Sequence, residues 1–220
     1  MIKFLRGRAI VVTSVTLAFV LGSATQATTL RKLSLDELVG HSDTIVVGKC
    51  EMDECVWLEK KIYTIATIRT THLAKGQATV GETIQIYELG GSVQHPLPVK
   101  MIVPGAATLT QGEEMLLFLE KFGDKKQFHR VVGMAQGKLP VSTDAKTGEK
   151  FVHHGEPIKG VQWVDKSGKP VAPGAPDARE ESAKVGSLDG FLGRIHKIKT
   201  DHEAKAKATP AAPGEKGGGK

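Results

Sequence analysis

The chain has little of what most catalytic and binding chemistries need. Aromatic residues make up 5% of its 220 positions, too few for the stacking platform a single-stranded nucleic acid requires. Cysteine occurs twice, at Cys50 and Cys55, and a C-x₄-C pair with no other cysteine is no zinc motif. No phosphate-loop spacing joins the Gly-rich segments, and no HExxH motif is present. No nucleophile elbow surrounds any serine, so no residue is assigned a catalytic role. No internal repeat is found. The formal net charge of +6 is partly that of the first segment, where Lys3, Arg6 and Arg8 stand without an acid. Without residues 1–27, 27 basic residues face 24 acidic ones, a balance that gives no electrostatic footprint for nucleic acid.

What is present begins with a leader. Residues 1–27 combine the basic start with an apolar run from Ala9 to Leu21 and small residues through Ala27, the three parts of a secretory signal peptide. The run falls short of the about 20 apolar residues that span a bilayer. Cleavage after Ala27 is expected, with an exported (periplasmic or extracellular) chain starting at Thr28 and no membrane span; an uncleaved anchor is the alternative.

Ser34-Leu35-Asp36-Glu37 has capping-box spacing, so a short helix is expected at 34–41. Val46, Gly48, Cys50 and Met52 then share one strand face, and the phase slips to Cys55 and Trp57. One extra residue near Asp53-Glu54 would restore the face, as a β-bulge does. Ile62–Leu73 and Thr83–Leu89 read as the next strands, the latter with Ile84 and Ile86 inward. Long neighbouring strands with a bulge suit a small closed or partly open antiparallel barrel. Residues 90–112, with Gly90, Gly91, His95, Pro104 and Gly105, read as a loop and as the leading candidate for a contact surface. A plain connection across the barrel end fits equally.

Met115–Leu119 is a continuous apolar run, as in a strand buried on both faces. Phe128–Ala135 reads as a strand, and Lys138–Ser142 with Glu149–His153 as a final hairpin. The predicted organisation is a mainly β domain over 28–155, a Pro/Gly-rich linker at 156–187, an amphipathic helix at 188–202 and a disordered basic tail at 203–220. The helix places Leu188, Phe191, Leu192, Ile195 and Ile198 on one stripe, suited to docking on the sheet.

Within residues 34–121 the order of features resembles the netrin-like module, the OB-type β-barrel of the tissue inhibitors of metalloproteinases. The features are the helix ending in Ser42-Asp43, IVVGKC, Tyr63 with β-branched residues to Lys75-Gly76, the Gly81 turn with TIQIYEL, and Gly112-Glu113-Glu114 before MLLFL. With VVGMAQGKLPV at 131–141 and SLDGFLGRI, the pattern is also similar to uncharacterised exported bacterial proteins. The resemblance implies an OB-like barrel. It does not transfer the inhibitors' zinc-chelating N-terminal cysteine, because the expected mature chain begins at Thr28.

Two cysteines in an exported chain favour a disulfide, yet five residues of extended strand span roughly 16 Å, well beyond the about 7 Å between bridged Cα atoms. A Cys50–Cys55 bridge that loops out Glu51–Glu54, and two free thiols, both fit this spacing. His153, His154, Glu156 and His129 form the best metal cluster on paper, but adjacent strand histidines point to opposite faces. No metal or cofactor is therefore expected. The leading functional expectation is an exported, non-enzymatic module that binds a protein or an extracellular polymer through loops 90–112 and 76–82. The alternative is a small exported hydrolase or a protease-associated processing or inhibitory factor, which a deep pocket of pKa-shifted groups would favour.

Overall fold

The computed structural model describes residues 28–123, 128–155, 158, 160–171 and 184–208. The leader, the expected cleavage site, Glu156, residues 172–183 of the expected linker and residues 209–220 lie outside the described residues.

The chain is mainly β. Strand β1 (Thr28–Arg31) leads to helix α1 (Leu35–His41). The Ser34 hydroxyl accepts from the Glu37 amide (3.3 Å), and Glu37 accepts from the Ser34 amide (2.9 Å), a complete capping box. That amide and Arg31 hold the Glu37 carboxyl down to about 2. Two long strands follow, β2 (Thr44–Leu58) and β3 (Lys61–Lys75), then β4 (Thr83–Leu89) and a small hairpin of β5 (Gly91–Val93) and β6 (Val99–Met101). Strands β7 (Glu114–Phe122), β8 (Phe128–Val131), β9 (Lys138–Thr143) and β10 (Lys150–His153) complete the central part.

The main sheet runs β9-β7-β2-β3-β4-β8, and β8 pairs again with β7, so that five strands form a ring. The ring is partly closed. Its seam is a single parallel pairing, Ile86 with His129, whereas β7 and β8 share four antiparallel pairs. Beyond the ring, the sheet continues from β10 to β12 (Lys184–Ser187), while β11 (Val161–Val164) pairs in parallel with β1. The described parts of residues 156–187 therefore carry two strands rather than a free linker.

Two cores lie on the two sides of this sheet. Inside the ring, Val46, Cys50, Ile68, Ile86, Leu117 and Leu119 pack together. Outside it, Ile45, Val47, Leu116 and Phe118 pack against Leu38 and Val39 of α1 and against helix α2 (Leu188–Ala208). The expected stripe makes this contact: Leu188, Phe191 and Ile195 are buried, with Leu192 and Ile198 at the edge. The helix continues through residues 203–208, which the sequence reading placed in the tail. Met115–Leu119 is fully buried because successive side chains enter opposite cores.

Three local expectations are corrected. Register against β3 shifts at Ile45/Val46, Val47/Gly48 and Cys50/Met52, and the shift that resets the phase lies between Cys50 and Met52 rather than at Asp53-Glu54. It still restores the face, since Cys50 opposes Ile68 and Cys55 opposes Thr64. The strand expected over Phe128–Ala135 stops at Val131, and a 3₁₀ turn follows at Met134–Gly137. Gly133 takes a left-handed conformation there (φ 64°), and a Cβ on it would lie 2.5 Å from Leu33 Cδ1. Finally, the segment after β6 is not wholly a surface loop, because Ala107 and Leu109 are buried in the ring interior.

Candidate functional site

The alternation that sends Ile84 and Ile86 inward also sends Glu88 inward. Register pairs Cys55 with Thr64 and Thr64 with Glu88, so a thiol, a hydroxyl and a carboxyl stand in one row across three strands. Neighbouring positions in such a row are close enough to interact. Cys55 Sγ lies 3.5 Å from Thr64 Oγ1, and the Thr64 hydroxyl donates to the Gly90 carbonyl (2.8 Å). Gly91 sits directly over the row. A Cβ at this residue would lie 2.6 Å from Cys55 Sγ and 2.8 Å from Thr64 Oγ1, so glycine lets the β5–β6 hairpin cross the far ends of β2 and β3.

Between this hairpin, the returning segment and the row is a cleft of about 390 Å³. Asp53, Cys55, Thr64 and Glu88 line its sheet side, and Gly90, Gly91, Lys100 and Ile102 its loop side. Asp53 Oδ1 accepts from the Gln111 amide (2.9 Å) and holds the segment's return.

Glu88 is only 8% exposed. Its Oε1 accepts from the Val131 amide (2.7 Å), and the Ala107 amide also donates to the carboxyl. Burial raises its pKa to about 7, against the two amides and Arg130, which favour the charged form. A carboxyl buried this deeply prefers its proton. One side chain thereby links β4, β8 and the returning segment.

The other predicted residues separate. Pro104 and Gly105 line a neighbouring cavity of about 340 Å³, which shares Ile102, Val103, Ala106 and Thr108 with the cleft. His95 precedes a cis peptide to Pro96 in the link between β5 and β6 and lines neither cavity. The 76–82 loop cannot share a surface with the hairpin. It enters β4 at Thr83, whereas the hairpin leaves at Leu89, at the other end of this seven-residue strand, a separation of roughly 20 Å.

Both cysteines are free, Cys50 buried and Cys55 half-buried. The strand stays continuous through Glu51–Glu54, and this extended backbone keeps the thiols apart. Burial, together with Asp53, pushes the Cys50 thiol up. Of the histidines considered for metal, His129 is pulled below its ordinary value by burial and Lys121. His153 Nε2 lies 2.6 Å from Ser142 Oγ. Among the described residues, no group of three or more His, Cys, Asp or Glu is placed to hold a metal ion. No helix there is long and apolar enough to cross a membrane.

Glu88, Thr64 and Asp53 were missed in the sequence, although Glu88 was signalled by its phase with Ile84 and Ile86. No family model matches the chain, and no curated protein sequence matches it.

Proposed function

We propose that the chain is an exported, non-enzymatic binding module built on a small OB-type barrel, and that it takes a protein or an extracellular polymer at the end capped by the β5–β6 hairpin. A five-strand ring with one parallel seam between β4 and β8 supports the barrel reading, and the leader pattern supports export. The netrin-like resemblance belongs to the same proposal.

The observation that carries the binding reading is where apolar side chains are left in water. Leu97 is 69% exposed, Ile102 74% and Trp57 46%. They lie on the hairpin, on the segment after it, and on the end of β2, in the part of the fold where β5 packs against β2 and β3. Met52, Leu58 and Val99 add to this region, while Leu73 and Val80 are exposed elsewhere, and apolar exposure gathered in one region marks an interaction surface.

The test is capture from the extracellular fraction with the immobilised full chain, against a Leu97→Asp/Ile102→Asp variant. A partner that is retained by the native chain and lost by the variant, at unchanged melting temperature, is the expected result. Equal retention would reject this surface.

One observation favours the alternative, a processing factor: Glu88 is a carboxyl with a near-neutral pKa beside a cleft, as a general acid requires. The Val131 and Ala107 backbone amides of its own fold hydrogen-bond this carboxyl, which suits a structural clamp better. Turnover of a generic peptide or ester that vanishes in Glu88→Gln would reverse this preference.

A further inference from the structure

A third cavity lies on the helix side of the sheet and adjoins the one lined by Pro104 and Gly105, sharing Ala135, Gly155 and Ile158 with it. It has a volume of about 210 Å³ and sits where α1, the Met134–Gly137 turn, β11 and α2 meet. Leu35, Leu38, Leu139, Trp163 and Phe191 form its walls, and Lys32, His154 and Arg194 stand at its edge. Among the described residues no carboxylate lines it.

We propose that this cavity binds a small organic anion with a compact apolar body, of the size of an arylacetate. Size supports the apolar part, since a dry cavity of about 150 Å³ lined by aliphatic and aromatic side chains holds benzene. The charge preference follows from which polar groups are already engaged. Gln136, the amide side chain in the lining, accepts from the Leu33 amide (2.8 Å) and donates to the carbonyls of Arg31 (3.0 Å) and Gly133 (3.2 Å). It closes the turn onto β1 and has little left for a ligand.

Arg194 is placed differently. Its guanidinium stacks 5.4 Å from the centroid of the Phe191 ring, one helical turn away, and this contact holds a cation beside the apolar wall. It has no ion pair among the described residues. Glu37 on α1 is already taken by Arg31 (2.7 Å) and Lys166 (3.6 Å), and Asp36 faces His202 (3.0 Å). The carboxylates of α1 are therefore engaged by cations other than Arg194. An anion whose body fills the cavity meets the guanidinium, whose planar fork suits a carboxylate.

Trp163 reports the event. The other tryptophan, Trp57, lies outside the lining, so a full-length Trp57→Phe chain isolates the signal. Phenylacetate, 2-phenylethanol and phenethylamine are titrated against its fluorescence. Saturable binding of the acid, about tenfold or more tighter than the alcohol and with the amine weakest, is expected for one charge-assisted contact. Arg194→Gln, a change at an exposed position, removes the preference for the acid and leaves the alcohol unchanged. Ala135→Leu fills the cavity and removes both, with circular dichroism reporting the fold. Equal affinity for acid and alcohol, no saturable signal at millimolar acid, or a preference that survives Arg194→Gln would each overturn the assignment.

Discussion

The two halves of β2 face opposite fates. From Thr44 to Gly48 every residue is buried, because the ring interior takes one face and the helices take the other. From Met52 to Leu58 only Cys55 and Val56 are even half-buried. The strand is continuous, and its hydrogen bonding to β3 runs the whole length. The difference is what lies across from it. Helices α1 and α2 and strand β7 stop short of the far half, where the covering pieces are a hairpin of two three-residue strands and its return. Burial on both faces stabilises the near half, and the far half, with the thinner cover, is where the proposed partner would dock.

The largest expected effect tests the near half. Phe118→Ala removes a fully buried side chain between sheet and helices and should cost about 3–5 kcal/mol in urea unfolding. A loss below about 1 kcal/mol would mean that the two-sided core is not the source of stability.

Next comes Glu88, in the row that crosses the far half. The Glu88 pKa is raised from 4.5 to about 7, so the folded chain binds this proton more tightly than the unfolded one. The contribution is complete below pH 4.5 and is lost as pH rises towards 7. At about 1.4 kcal/mol per pKa unit the fall is roughly 3 kcal/mol. Glu88→Gln should flatten stability against pH in this window, and an unchanged slope would place the carboxyl in water.

A smaller effect is expected at Gly48, the last of the doubly buried residues. A Cβ there would meet Ile68 Cγ2 at 2.5 Å and the Arg69 carbonyl oxygen at 2.7 Å. Gly48→Ala should cost about 1–3 kcal/mol by overpacking, seen as a lower denaturation midpoint. Smallest of all is Trp57→Ala in the far half, expected to change stability by no more than about 0.5 kcal/mol. It should weaken capture of the partner, and the reverse pattern would make Trp57 a core residue.

Much of the near half was legible. MLLFL has no alternation because both of its faces are covered, and the stripe on 188–202 has the spacing of a docked helix. The slip of phase between Cys50 and Cys55 announced a bulge, though its position moved to Glu51 because inter-strand register, not side-chain pattern, chooses which residue is extra. The candidate site was read less well. Gly90 and Gly91 were found because the Gly and Pro content of 90–112 reads as loop, and both take a positive φ, of 113° and 134°. Glu88 was passed over because a charged residue in a strand reads as solvent-facing until its neighbours on other strands are known.

By itself the sequence determined local periodicity: which segments extend, where they turn, where a helix is capped, and which residues can share a face. These depend on nearest neighbours along the chain and on the fixed periods of strand and helix. Only the tertiary structure decided that Ala107 and Leu109 enter the ring, that loops 76–82 and 90–112 stand at opposite ends of β4, and that β1 pairs with Val161–Val164. Those outcomes depend on which distant segment covers which surface, and burial, with the electrostatics that follows from it, is a property of that assembled neighbourhood.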